Sequence, residues 1–142
     1  MLGTKESAGT SRKPKVAIIG AGRSGRKLAE RLTSSWEILI LDKNPERLKL
    51  AAKQAGLAEE KCFLGDATSA IFLEEVQIEK AYQIVVLVSD DKTTEEIVKL
   101  LTQRFHRKNI IARILDEVRA EALRNLDIVI VNPFETSVNL IA

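Results

Sequence analysis

Short apolar runs and longer amphipathic stretches alternate along the chain, and the alternation starts at Lys15. Lys15 to Gly20 is apolar apart from its first residue, and Leu28, Ala29 and Leu32 then recur at helical spacing. The pattern predicts strands over Lys15 to Gly20, Glu37 to Asp42, Lys61 to Gly65, Gln83 to Val88, Asn109 to Leu115 and Asp127 to Val131. Helices are predicted between them: Ser24 to Ser34, Pro45 to Gly56, Ser69 to Val76, Lys92 to His106 and Glu117 to Arg124, with a further helical stretch after Pro133. Asn44 as cap, Pro45 as first residue and Gly56 as stop give the second helix a physical signal at both ends. The fourth strand is apolar almost throughout, as a central parallel strand covered on both faces would be.

Candidate chemistry enters where the first strand meets its helix. Gly20-Ala21-Gly22-Arg23-Ser24-Gly25 has the spacing of a dinucleotide-binding turn. Gly20 permits the tight turn, Gly22 the close approach of a pyrophosphate, and Gly25 the close packing of helix on sheet. Free N–H groups and the helix dipole would then face phosphate. The second strand ends in Asp42, at the distance where this fold sets an acid against the ribose hydroxyls. An acid there favours NAD over NADP, and the adjacent Lys43 weakens that discrimination. A glycine turn that serves only packing and a solvent-exposed strand-end aspartate are the alternatives. A P-loop is excluded, because Arg26 and Lys27 stand where lysine and a hydroxyl residue are needed.

The resulting fold class is α/β: a Rossmann-type doubly wound, six-stranded parallel sheet in the order 3-2-1-4-5-6. That order places Gly65, Asp66, Ser89, Asp90 and Asp91 on the same rim as the glycine loop.

Composition narrows the picture further. The chain has 142 residues, 45% hydrophobic and 30% charged, enough for one packed domain. Residues 1–14 are polar and aperiodic and read as a disordered tail, with residues 15–142 as the nucleotide-binding domain. A net charge of +2 argues against a broad nucleic-acid surface, and the basic run Arg104, His106, Arg107, Lys108 reads as a solvated helix end. The single Cys62 reads as a buried strand residue, and one cysteine forms no internal disulfide. No apolar run reaches the ~18 residues of a membrane span.

Several segments together resemble the RCK/KTN nucleotide-binding domain, the Trk-regulator amino-terminal (TrkA-N) family. They are the glycine loop, Asp42-Lys43-Asn44-Pro45, Gly65-Asp66-Ala67-Thr68, Val86 to Asp91, Ile110 to Arg113 and Asp127 to Pro133. The resemblance implies a cytoplasmic module that binds NAD or NADH, or alternatively ATP, ADP or AMP, and controls a membrane K+ channel or transporter. It implies adenine contacts from Gly65, Asp66 and the backbone of Ala67, with a simple turn in which Asp66 caps the following helix as the alternative, and an Arg23 that reaches phosphate of its own or a neighbouring subunit's ligand, with a solvent-exposed loop residue as the alternative. Ser89 would donate to phosphate or ribose, and Asp90 and Asp91 would accept ribose hydroxyls or cap the following helix. Arg113 follows the family's fifth-strand pattern, with a structural ion pair as the equal alternative. Thr94 stands where the family often has Asn, and Asn125 would supply a left-handed helix cap where the family often has Gly. Phe134, Val138, Leu140 and Ile141 would give the last helix an interface for a homodimer or higher assembly.

A small NAD-dependent oxidoreductase, or its cofactor domain, is the rival reading. It needs an acid or base near the nicotinamide, and the lone His106 falls at the far end of its helix. Tyr82 is followed four residues later by Val86, so a tyrosine-lysine pair is absent. One Cys and one His make no zinc cluster, and no basic recognition helix supports DNA binding.

Overall fold

The computed structural model describes residues 13–133. Alternation of strand and helix gives β1 (Lys15–Ile19), α1 (Arg23–Leu32), β2 (Glu37–Asp42), α2 (Pro45–Ala55), β3 (Cys62–Leu64) and α3 (Ala70–Glu75). The second half is β4 (Gln83–Val86), α4 (Asp91–Gln103), β5 (Ile110–Arg113), α5 (Glu117–Ala122) and β6 (Val129–Val131). Short 3-10 turns at Glu59–Lys61 and Ile78–Lys80 precede β3 and β4. All five strand pairings are parallel, and the sheet runs β3-β2-β1-β4-β5-β6, the order expected from right-handed crossovers.

Alternation along each strand divides the core in two. Val16, Ile18, Ile38 and Ile40 face Ala29 of α1 and Leu48 and Ala51 of α2. Ala17, Ile19, Leu39, Leu41, Ile84 and Val86 face the other layer, where Leu73, Ile97, Val98 and Leu101 pack. The twelve largest fully buried side chains are all Ile or Leu, each contributing ~1.5–3 kcal/mol on burial. Helix ends follow their caps. The Asn44 side chain accepts from the amides of Glu46 and Arg47, and Gly56 closes α2 in the left-handed conformation, φ 66°.

Several expected boundaries shift inward. Strands β4, β5 and β6 are each shorter than their apolar runs, although ladder bonds run one residue past β4 and β5, from the Leu87 amide to the Ile19 carbonyl and from the Ile114 amide to the Val131 carbonyl. The fourth helix stops at Gln103, and His106 takes a left-handed conformation, φ 53°. Asn125 forms no left-handed cap; Leu123 ends α5 in a right-handed conformation. Cys62 is half-buried at the start of β3, not enclosed, and its thiol is pushed up from its ordinary value by burial. The basic run also does more than meet solvent. The Arg107 guanidinium donates to the carbonyls of Glu79 and Ala81 and so ties the segment after α4 to the turn before β4, while Arg104 pairs with Glu74 of α3 at 3.4 Å. The tail before Lys13 and the interface residues Phe134, Val138, Leu140 and Ile141 lie outside the described residues.

Among the described residues no helix is long and apolar enough to cross a membrane, and no three His, Cys, Asp or Glu side chains are placed to hold a metal.

Candidate functional site

At the carboxyl end of the sheet, where the chain leaves β1 toward one sheet edge and β4 toward the other, the loops part around a cavity of about 730 Å3. Its size suits a nucleotide, and its place is where open parallel sheets hold ligands. Five segments build it: the glycine loop, the end of β2 with the start of α2, the turn after β3, the ends of β4 and β5, and the first turns of α4.

The three glycines divide the work of the loop. Gly20 has φ 114°, a left-handed value, and a Cβ there would stand 2.7 Å from the Leu87 carbonyl oxygen. Gly25 is buried against the loop, with its Cβ position 1.8 Å from the carbonyl oxygen of Gly20. Gly22 differs: no protein atom lies within 4 Å of its Cβ position, and the residue lines the cavity. Of the three, Gly22 is the one where an added side chain would enter open space rather than protein. It also sits at the N-cap of α1, so helix amides point into that space.

Asp42 is held from both sides. One carboxylate oxygen accepts from the Ala21 amide at 2.7 Å, and the other from the Asn44 amide at 2.8 Å. The side chain thus ties the glycine loop to the start of α2 while still lining the cavity. Beyond it, Asp66 accepts from the amide and the hydroxyl of Thr68, at 2.9 and 2.7 Å. These bonds, the hydroxyl foremost, hold its carboxyl below the usual carboxylate range, with a further contribution from the Lys43 charge. Gly65 leaves room for the Phe72 ring, whose edge would lie 2.3 Å from a Cβ. Ala67 is buried on the cavity wall.

Cations flank the opposite side. Arg23 is exposed at the cavity, beside Ser24. Arg113, at the end of β5, reaches back across β4 and donates to Ser24 Oγ at 2.8 Å and to the Leu87 carbonyl at 3.3 Å. It makes hydrogen bonds here in place of the ion pair that was the alternative. Ser89 lines the cavity between them.

Of the fourteen residues singled out from sequence, eleven line the cavity: Gly20, Gly22, Arg23, Ser24, Asp42, Lys43, Gly65, Asp66, Ala67, Ser89 and Arg113. Ala21, Gly25 and Asp90 do not. Ala21 is fully buried and spends its amide on Asp42, and Gly25 is packed beneath the loop. Asp90 caps α4, accepting from the Thr93 amide at 3.0 Å and from its hydroxyl, which lowers its pKa. Asp91 is likewise structural: it accepts from the amides of Leu115 and Asp116 and fixes the turn after β5. Thr94 is buried, its hydroxyl shared between the carbonyls of Val88 and Asp90.

Sequence reasoning missed Arg47 and Thr93 on the cavity wall. Side chains in the first turn of a helix lean toward its N-terminus, and α2 and α4 both begin at the sheet's carboxyl edge. Arg47 and Thr93 each lie three residues past their cap and so project back toward the ligand space.

Comparison with known proteins gives a concordant result. A family model described as the TrkA-N domain matches residues 16–133. The Trk system potassium uptake protein TrkA of Mycobacterium tuberculosis is 31% identical over 103 residues, 72% of this chain. The chain spans 45% of that relative's length. Among solved structures, the AMP-bound Kef CTD of Shewanella denitrificans is 26% identical with a TM-score of 0.69, covering 89% of this chain and 76% of that one. The NAD(P)-binding domain of an exopolyphosphatase-related protein from Archaeoglobus fulgidus is 20% identical, with a TM-score of 0.74 over 91% of this chain and 95% of that one, and shares the fold.

Proposed function

The chain belongs to the TrkA-N domain family, and on that footing we propose that it is a regulatory module: it binds an adenine nucleotide and passes the binding event to a K+ channel or transporter. The observation that carries the ligand reading is the open Gly22 opposite Asp42. One offers phosphate an unobstructed approach to helix amides, and the other offers ribose a carboxylate already fixed in place. Adenosine lies toward Asp42, Lys43, Gly65, Asp66 and Ala67, and phosphates lie over the loop within reach of Arg23, Ser24, Ser89 and Arg113. NAD, NADH, AMP, ADP and ATP all carry the adenosine and phosphate this arrangement accepts, and the AMP-bound relative supports that class.

The transport reading rests on the TrkA relative, a potassium uptake protein. It makes the module a cytoplasmic partner of a membrane protein, self-associated through the segment after Pro133, and favours a regulator over an oxidoreductase. Calorimetric titration with AMP, ADP, ATP, NAD and NADH tests the ligand reading: at least one should bind at micromolar concentration. Absence of binding by all five refutes it. Sedimentation equilibrium tests self-association, and a monomer with and without nucleotide at micromolar protein refutes that part.

A further inference from the structure

The two halves of the cavity are built unequally. The adenosine half is lined from the end of β2, the start of α2 and the turn after β3. The other half lies over β4 and β5, where a dinucleotide would lay its second nucleoside beyond the pyrophosphate. From β5 that half receives a single lining residue, Arg113, and its side chain crosses the crevice to the first turn of α1. One terminal nitrogen bonds Ser24 Oγ at 2.8 Å and the other bonds the Leu87 carbonyl at 3.3 Å. The Leu87 carbonyl is also the group that lies against Gly20, so the guanidinium is anchored to the floor of the phosphate loop itself.

Both partners of this fork are neutral, and the second bond is long. Phosphate oxygens accept from a guanidinium bidentately, with charge-assisted bonds roughly twice as strong as neutral ones. A terminal phosphate emerging from the glycine loop meets Arg113 with its donors already aimed at the loop, and Arg23 flanks the same region. A second nucleoside, by contrast, must push the side chain off Ser24 and Leu87 and offers it only ribose and base in return. AMP carries a single phosphate, which the amides at the start of α1 would take, leaving the fork no second phosphate to grip.

We propose that the Arg113 fork makes this pocket selective for adenosine nucleotides that end in a di- or triphosphate, over AMP and over dinucleotides. The inference rests on the adenine-nucleotide reading of the cavity and adds to it the length and ending of the ligand. Arg113 is the specificity-determining residue, and Ser24 is its parking partner when no terminal phosphate is present.

Calorimetric titration of wild type, Arg113→Ala, Arg113→Lys and Ser24→Ala with AMP, ADP, ATP and NAD tests it, with thermal unfolding as the check that each variant folds. In wild type ADP and ATP should bind about tenfold or more tightly than AMP and NAD, the gain expected of one bidentate charge-assisted contact. Arg113→Ala should bring the ADP-to-AMP affinity ratio to within about threefold of unity, with partial recovery in Arg113→Lys. Ser24→Ala removes a phosphate donor common to all four ligands but retains the guanidinium, so it should weaken them together while the ADP-to-AMP affinity ratio holds. The proposal is overturned if wild type binds NAD as tightly as ADP, or if Arg113→Ala weakens AMP and ADP by the same factor. If AMP binds wild type without any preference for ADP, the selectivity fails and the nucleotide reading stands; if no nucleotide binds, both fall.

Discussion

Replacing Gly22 and Gly25 separately by alanine should divide binding from folding within one six-residue loop. A Cβ on Gly25 would stand 1.8 Å from the Gly20 carbonyl oxygen, where real contacts stay beyond 3.0 Å. The start of α1 and the loop must then separate by more than 1 Å, and neither side of the contact is a flexible side-chain tip. Overpacking of this kind costs ~1–3 kcal/mol or more. For a domain of this length that lowers the midpoint by about 3–10 °C. Gly22 has φ −72°, which alanine adopts without strain, and nothing lies within 4 Å of the added methyl. Alanine is a poorer N-cap than glycine, but it also loses less chain entropy on folding, so the net change should stay within ~0.5 kcal/mol. That methyl does enter the phosphate space, and nucleotide affinity should fall about tenfold or more. Differential scanning calorimetry and ligand titration read the two effects. Equal destabilisation by both substitutions, or undiminished affinity in Gly22→Ala, would refute this division of roles.

Three further outcomes follow from the same geometry. Asp42→Ala removes the acceptor of two backbone amides, and should cost ~1.5–3 kcal/mol in urea unfolding as well as nucleotide affinity; hydrogen exchange at Ala21 should accelerate. Thr68→Ala should raise the Asp66 carboxyl toward its ordinary value in a carbon-detected NMR titration. Because the folded-state value is depressed, the stabilisation from this group is complete above the unfolded value of about 4 and disappears as pH falls through the folded one, a loss that should be smaller in the variant, which keeps the Thr68 amide bond and the Lys43 charge. Asp91→Ala frees the amides of Leu115 and Asp116 and should lower stability by ~1–2 kcal/mol with nucleotide affinity nearly unchanged.

Legibility in the sequence tracked the range of the interaction. Helix α2 was readable to the residue because Asn44, Pro45 and Gly56 act on their own neighbours. The strand order followed from the handedness of crossovers, and Asp42 from a fixed spacing in the motif. The ends of β4 and β5 were not readable, since the apolar runs continue to Val88 and Leu115, beyond the last residues in register, Val86 and Arg113. Asp90 and Asp91 show the same limit: a carboxylate beside a cavity and a carboxylate that caps a helix look alike until the acceptor geometry is known. Arg113 was legible as a residue but not as a fork, because its partners Ser24 and Leu87 lie 89 and 26 residues away.

The double grip on Asp42 bears on how this pocket changes over evolution. A residue that only touched ligand could drift freely, and a single substitution could then trade one nucleotide for another. Here a replacement at position 42 that removes the two acceptor oxygens also unties the loop from α2, so such a change of ligand carries a folding defect with it. Lys43 and Arg47 line the same wall, and among the described residues their side chains hold no hydrogen bond or ion pair. New ligand preferences should therefore accumulate at these two neighbours, while the aspartate is kept in place by a duty that has nothing to do with the ligand.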